Sequence, residues 1–138
     1  MIVDSPEAMA DLGFRIGEKL KVGDVVLLKG ELGAGKTTLA RGVGRALGVD
    51  GVTSPTFVIS KIYQGRVPLI HVDAYRLIGN PLATFDDLDL ESRIPTSITL
   101  IEWGGGFIER IVDFYIEVAI DFVDGSEQRV VTISGLEI

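Results

Sequence analysis

The fold of this chain is decided by the stretch Gly30-Glu31-Leu32-Gly33-Ala34-Gly35-Lys36-Thr37. It matches the phosphate-binding pattern G-x-x-x-x-G-K-[ST] at every fixed position. Because so short a pattern also arises by chance, its flanks have to support it. The apolar run from Val25 to Leu28 predicts a buried parallel strand before the loop. Apolar residues at helical spacing after the loop, closed by Gly48, predict a helix.

The residue types in the loop suit the phosphates of a nucleotide. Gly33 and Gly35 let the backbone approach phosphate oxygens where a Cβ would collide. The N–H groups of the loop and of the helix N-terminus attract an anion. Lys36 supplies a positive charge for the outer phosphates, and the Thr37 hydroxyl is placed to hold Mg²⁺. The alternative, a glycine turn beside a solvated lysine, is disfavoured by both flanks.

Length and composition predict a single globular domain over residues 1–138. The 20 acidic residues outnumber the 13 lysines and arginines, and the net charge is −7. This acidic charge is poorly suited to binding nucleic acid without a partner, because phosphate contacts need clustered cations. The absence of cysteine excludes disulfides and cysteine-based zinc sites. Without a signal-like start or a run of transmembrane length, we expect a cytoplasmic protein with no membrane partner.

The periodicity of the chain predicts an α/β domain of the P-loop NTPase type, a three-layer fold with a mixed central sheet. Ser5 as N-cap and Pro6 at the first position begin a helix that runs to about Leu20. Strict alternation from Phe114 to Phe122 predicts a strand with one buried face, and a turn at Asp124-Gly125 closes a C-terminal antiparallel hairpin. Four further segments are predicted as an edge strand, two hairpin strands and one more strand: Ile2-Val3, Phe57 to Tyr63, Val67 to Val72, and Ser97 to Glu102.

Two acidic residues end apolar strands, and in open α/β sheets ligands bind at those strand ends. Asp73 follows one strand and Glu102 ends another. Beside a phosphate loop, such carboxylates hold Mg²⁺ or orient an attacking group. His71 is the only histidine and would share a face with Asp73, so it either orients that carboxylate or is a hydrogen-bonded core residue. Spacing does not decide which carboxylate touches the metal.

Three other features have a functional and a structural interpretation. Thr56 lies in the connector after the first βα unit, where a threonine can sense the γ-phosphate as in switch loops, or simply belong to a turn. Trp103, the only tryptophan, is a core residue or a partner contact. The acidic stretch 86–91 is best interpreted as a solvated loop or short surface helix.

Four segments taken together resemble the bacterial TsaE (YjeE) family. They are Gly30 to Thr38, Ser54-Pro55-Thr56-Phe57, His71-Val72-Asp73-Ala74-Tyr75-Arg76-Leu77, and Ile101-Glu102-Trp103. The resemblance implies an ATPase that is required to make N6-threonylcarbamoyladenosine in tRNA. It also implies that the chain binds a TsaB–TsaD protein complex, uses ATP hydrolysis to keep that enzyme turning over, and meets tRNA only indirectly.

The resemblance also implies roles for individual residues. Asp73 and Glu102 would be the acidic metal and catalytic residues, Thr56 the switch threonine, and Trp103 the functional aromatic beside them. Adenine would lie near the start of the first helix. The implied ATP and Mg²⁺ ligands are Ser5, Pro6, Gly33, Ala34, Gly35, Lys36, Thr37 and Thr38.

Two other function classes stay open on the sequence. A small P-loop kinase needs an acceptor pocket and usually an arginine-bearing lid, for which 138 residues and sparse arginines leave little room. A non-catalytic ATP-gated adaptor would need Lys36 but not Glu102. No arginine is clearly placed to stabilise transferred phosphate, although Arg129 or a partner could supply one, so we expect slow hydrolysis by the isolated chain.

Overall fold

The computed structural model describes residues 1–53, 60–73, 90–103 and 108–138. In these ranges the helices are α1 (Pro6–Lys19), α2 (Lys36–Ala46) and the short α3 (Leu90–Arg93), with 3₁₀ turns at Ile94–Thr96 and Ile108–Arg110. The strands are β1 (Ile2–Val3), β2 (Val25–Lys29), β3 (Ser60–Gln64), β4 (Pro68–Asp73), β5 (Ile98–Glu102), β6 (Ile116–Phe122) and β7 (Arg129–Ser134).

All seven strands form one mixed sheet in the order β1-β7-β6-β2-β5-β4-β3. The inner strands β6, β2, β5 and β4 run parallel to one another. Antiparallel strands flank them on both sides, β3 beside β4 and the β7–β1 pair beside β6. The predicted mixed sheet and C-terminal hairpin are therefore confirmed. The continuous apolar run of β2 is explained by its central place, since both faces of that strand are covered.

The sheet is the middle of three layers, as predicted. Helices α1 and α2 cover one face, where Val26, Leu28 and Leu100 join their apolar residues in one cluster. The other face packs Leu27 and Ile101 against α3 and the two 3₁₀ turns. None of the helices in the described ranges combines the length and the apolar character that crossing a membrane requires.

The two long helices begin where local chemistry favours a start. The Ser5 hydroxyl accepts a hydrogen bond from the Ala8 N–H at 3.0 Å, and Pro6 occupies the first position of α1, as predicted. Helix α2 begins at Lys36, directly after Gly35. At its other end, the Arg66 side chain donates to the Ala46 carbonyl, which places a cation at the negative end of the helix dipole.

Glycines bring α1 and α2 unusually close together. A Cβ added at Gly42 would lie 2.0 Å from the Ala10 carbonyl oxygen, and one added at Gly13 would lie 2.1 Å from the Leu39 carbonyl oxygen. Only hydrogen fits at these crossings. Helix α1 thereby holds the helix that follows the phosphate loop against the sheet.

Strand β6 departs from its predicted pattern at both ends. It begins at Ile116 rather than Phe114, and Phe114 and Phe122 are 65% and 44% exposed. Alternation assigns a side chain to a face, but burial needs a second layer above that face. At Phe122 the neighbour is instead the Arg129 guanidinium, 4.5 Å from the ring centre.

Candidate functional site

Three parallel strands end side by side at one edge of the sheet. Glu102 of β5 is paired with Leu28 of β2 on one side and with Asp73 of β4 on the other. The phosphate loop starts two residues after Leu28. The structure therefore brings together the two predicted carboxylates and the predicted loop, because parallel strands direct their carboxyl ends to the same edge.

The loop has a backbone that glycine makes accessible. Gly33 has φ +83° and Gly35 has φ +120°, conformations that other residues rarely adopt. A Cβ at Gly35 would also press on the Met9 side chain at 3.1 Å. Ala34 between them is buried, and its N–H donates to the Glu31 carbonyl at 3.0 Å. This tight turn delivers the chain into the N-terminus of α2, where an anion is favoured.

Lys36 is buried within the site, with only 6% of its surface exposed. Its ammonium donates to the Gly30 carbonyl oxygen and lies 4.0 Å from the centre of the Trp103 ring. Burial lowers the pKa of Lys36, while the negative charges of Glu102 and Asp73 oppose that shift. The lysine therefore lies in the field of both carboxylates while its ammonium is held at the start of the loop.

Glu102 is a buried carboxylate that is held by the only histidine. Oε2 of Glu102 lies 2.6 Å from Nε2 of His71, with the imidazole fully buried. His71 is paired with Leu100 across the β4–β5 ladder, so Glu102 is its diagonal neighbour two residues along the same face. The sequence allowed Asp73, on the same strand, as the partner of this imidazole. The hydrogen bond instead crosses to the next strand.

The donor set of the site fits a magnesium ion that shares its coordination with phosphates. Asp73 and Glu102 stand directly opposite each other, an arrangement of like charges that a cation between them would stabilise. Among the described residues, no three histidine, cysteine or acidic side chains converge into a complete metal site. Mg²⁺ usually takes one or two carboxylates and completes its shell with water and phosphate oxygens. Thr37, in the first turn of α2, adds a partly buried hydroxyl.

A solvent-open cavity of about 130 Å³ lies beside the loop. It is lined by Ser5 and Pro6 at the start of α1, to which the resemblance assigns adenine, and by Thr38 of α2. Two further lining residues come from the C-terminal hairpin: Arg129, which the sequence left open as a stabiliser of transferred phosphate, and Glu127, which was not predicted. No local pattern places them at the loop, because only the packing of the hairpin brings them there.

Two predicted residues need separate mention. Thr56 lies outside the described residues, and the last residue described before it, Thr53, accepts a hydrogen bond from Lys61 Nζ at 2.7 Å. Trp103 has φ +61°, the only positive φ of a non-glycine residue in the described part of the chain, and is 41% exposed. It is therefore not a core residue, and its ring faces the Lys36 ammonium.

Comparison with known proteins agrees with this architecture. Residues 3–131 match the family model described as threonylcarbamoyl adenosine biosynthesis protein TsaE. The tRNA threonylcarbamoyladenosine biosynthesis protein TsaE of Streptomyces coelicolor is 47% identical over 93% of this chain and 90% of its own length. The protein of the same name from Nostoc is 39% identical over 91% of this chain and 80% of its own. A crystal structure of YdiB from Bacillus subtilis superposes with a TM-score of 0.79 at 28% identity, covering 96% of this chain and 82% of that one.

Proposed function

The chain belongs to the TsaE family of threonylcarbamoyladenosine biosynthesis proteins, and from that membership and the site geometry we propose that it is a Mg²⁺-dependent ATP hydrolase. In this proposal it is a single-domain accessory to the modification of tRNA. The observation that carries the proposal is the position of Lys36. This lysine is buried beside the phosphate loop, and its ammonium is attracted by the two carboxylates at the strand ends. Burying an ammonium is costly, and we attribute the burial of Lys36 to a phosphate-binding role.

Each group in the site has a part in the proposed reaction. The N–H groups of residues 33–38 and the Lys36 ammonium bind the β- and γ-phosphates, and Thr37 with Asp73 or Glu102 holds the metal. Bound magnesium supplies charge neutralisation of the phosphates. Glu102 orients the attacking water and accepts its proton, and Thr56 senses the γ-phosphate. Ser5 and Pro6 line the cavity that takes the adenine end of the nucleotide.

The proposed partner is the TsaB–TsaD protein complex, and tRNA is met only through it. The net charge of −7 supports an indirect role, because a strongly acidic protein has little attraction for phosphate backbones. Arg129 lines the cavity beside the loop, but its guanidinium donates to the Glu127 and Gln128 carbonyls, so hydrolysis by the isolated chain should be slow. In this proposal the protein works in the cytoplasm.

The test compares ATP turnover by the full-length chain with and without the TsaB–TsaD complex. We expect turnover that is well below a typical enzyme's ~10 per second alone and rises when the complex is added. Lys36→Ala and Glu102→Ala should both abolish it. Lys19→Ala, which removes an exposed lysine from the last turn of α1, is the matched control and should behave as wild type. Fast turnover without partners would contradict the proposal.

A cellular experiment separates the hydrolase from the adaptor. Nucleoside mass spectrometry would measure threonylcarbamoyladenosine in tRNA from cells that lack this chain and are complemented with each variant. Loss of the modified nucleoside with both Lys36→Ala and Glu102→Ala supports hydrolysis as the necessary step. Full complementation by Glu102→Ala alone would favour an ATP-gated adaptor. Unchanged nucleoside in the deletion strain would remove the assignment altogether.

A further inference from the structure

The buried pair of His71 and Glu102 has a geometry that the proposed function does not by itself require. Both side chains are almost fully enclosed, at 0% and 7% exposure, and their Nε2 and Oε2 atoms lie 2.6 Å apart. The other imidazole nitrogen, Nδ1, is buried and has no hydrogen-bond partner among the described residues. Leaving one of the two nitrogens of a buried imidazole without a hydrogen bond costs free energy of folding.

The unpartnered nitrogen indicates which atom carries the proton. If Nδ1 were the protonated nitrogen, its N–H would be buried with no acceptor, which is the more costly way to leave a polar group unpaired. Protonation at Nε2 leaves only a lone pair unmatched and makes Nε2 the donor to the carboxylate. The imidazole therefore donates, and Oε2 of Glu102 accepts.

We propose that His71 is a positioning residue that holds Oε2 of Glu102 and thereby leaves Oε1 as the oxygen that serves the nucleotide site. This inference rests on the proposed hydrolase function. A glutamate side chain has three rotatable bonds, and at the end of a strand its carboxylate could take several orientations. His71 lies on the neighbouring strand, two residues before Asp73, and its hydrogen bond selects one of these carboxylate orientations. Strand β4 thus supplies the Asp73 carboxylate and, through His71, orients the Glu102 carboxylate.

Placement on the sheet supports this role over a purely structural one. His71 lies on the α1–α2 face, in the row of Leu69 and Asp73, and this face carries the phosphate loop. A packing residue here could be any apolar side chain, as Leu69 is two residues earlier. A buried hydrogen-bond donor is needed only where an acceptor must be held. Partners that orient the functional groups of a site are typically worth about 10–100-fold in activity.

The first test observes the bond itself, in the protein without nucleotide. Because His71 is the only histidine, a long-range ¹H–¹⁵N spectrum of the full chain shows a single imidazole. We expect a proton on Nε2 that is protected from exchange and that loses this protection in Glu102→Ala. A proton on Nδ1 alone would overturn the proposal, whatever the protein does with ATP.

The second test uses two variants of similar size. His71→Gln keeps an amide donor at about the reach of Nε2, whereas His71→Met has the same length and no donor. With the TsaB–TsaD complex and ATP, we expect His71→Met to lower kcat about 10–100-fold with KM within about twofold, and His71→Gln to recover most of the loss. Equal kcat for wild type and His71→Met would overturn the proposal.

A matched control shows whether removing any buried polar atom from these strands has the same effect. Thr99 is fully buried on β5, its hydroxyl has no hydrogen-bond partner, and alternation places it on the opposite face from Glu102. Thr99→Val should leave kcat unchanged.

If wild type itself neither binds nor hydrolyses ATP, the proposed function fails, while the spectrum still tests the hydrogen bond. If His71→Met does not fold, a kcat of folded His71→Gln that lies more than about 10-fold below that of wild type would contradict the proposal.

Discussion

The ammonium of Lys36 lies 4.0 Å from the centre of the Trp103 ring, in cation–π contact. Trp103 directly follows Glu102, so the end of β5 contributes both a carboxylate and an aromatic surface to the same lysine. The Gly30 carbonyl takes a hydrogen bond from that ammonium as well. The charge is thus held by groups of moderate strength that phosphate oxygens can replace.

Nucleotide binding should change the fluorescence of Trp103. When the Lys36 ammonium turns from the ring to a phosphate, the charge that faces the indole changes. Because the chain has one tryptophan, the whole signal comes from this site. Titration of the full chain with ATP and Mg²⁺ should give a saturable change, absent with adenosine. Saturable binding by calorimetry with a flat fluorescence trace would contradict this account of the contact.

Replacing Trp103 by glycine should give a more stable protein than replacing it by alanine. The backbone at Trp103 has φ +61°, which costs a non-glycine residue about 1–2 kcal/mol. Both variants lose the ring, so their difference in urea unfolding reports the backbone, and we expect about 1 kcal/mol in favour of glycine. The same pair at Arg15, an exposed position inside α1, should show the opposite order, since glycine is a poor helix former. Equal stability of the two Trp103 variants would show that the strain is not present in solution.

Lys36→Met should change how stability depends on pH. The pKa of Lys36 is lowered from 10.5 in the folded protein, whereas the unfolded chain keeps the usual value. Between the lowered pKa and 10.5, the unfolded state therefore binds more protons, and wild type gains stability as pH rises. Methionine does not titrate, so the free energy of unfolding of wild type relative to Lys36→Met should increase across that window in urea titrations. A decrease would show that the carboxylates outweigh burial.

Gly42→Ala should destabilise the protein even though alanine is the better helix former. Helix propensity alone favours alanine by about 1 kcal/mol. The added Cβ, however, would lie 2.0 Å from the Ala10 carbonyl oxygen. This oxygen belongs to the backbone, so it cannot move away as the end of a flexible side chain could. Overpacking of this kind typically costs about 1–3 kcal/mol, so thermal unfolding should occur at a lower temperature. The neighbouring exposed Arg41→Ala is the control and should change stability little.

Much of the fold was predictable because its signals are local. Ser5 and Pro6 marked the start of α1, and the alternating and apolar runs identified strands that the structure confirms within two residues over the described ranges. Strand ends were less predictable. At Phe114 and Phe122 the alternation continues but the burial does not, because the covering layer is built from distant segments.

The candidate site divides in the same way. Residue type and spacing along the chain were enough to identify the phosphate loop, and acids at strand ends were enough to select Asp73 and Glu102. These features depend on neighbours within a few residues. The family followed from the same segments.

Only the tertiary structure decided how those groups meet. Insertion of β5 between β2 and β4 placed Glu102 next to His71, and the C-terminal hairpin brought Arg129 to the cavity beside the loop. Sequence alone determined which chemical groups this protein carries and which local backbone presents them. Strand order determined which of these groups contact each other. His71 and Glu102 are far apart in the chain, so neither residue affects the local sequence pattern around the other. Only the pairing of their strands brings them within hydrogen-bond distance.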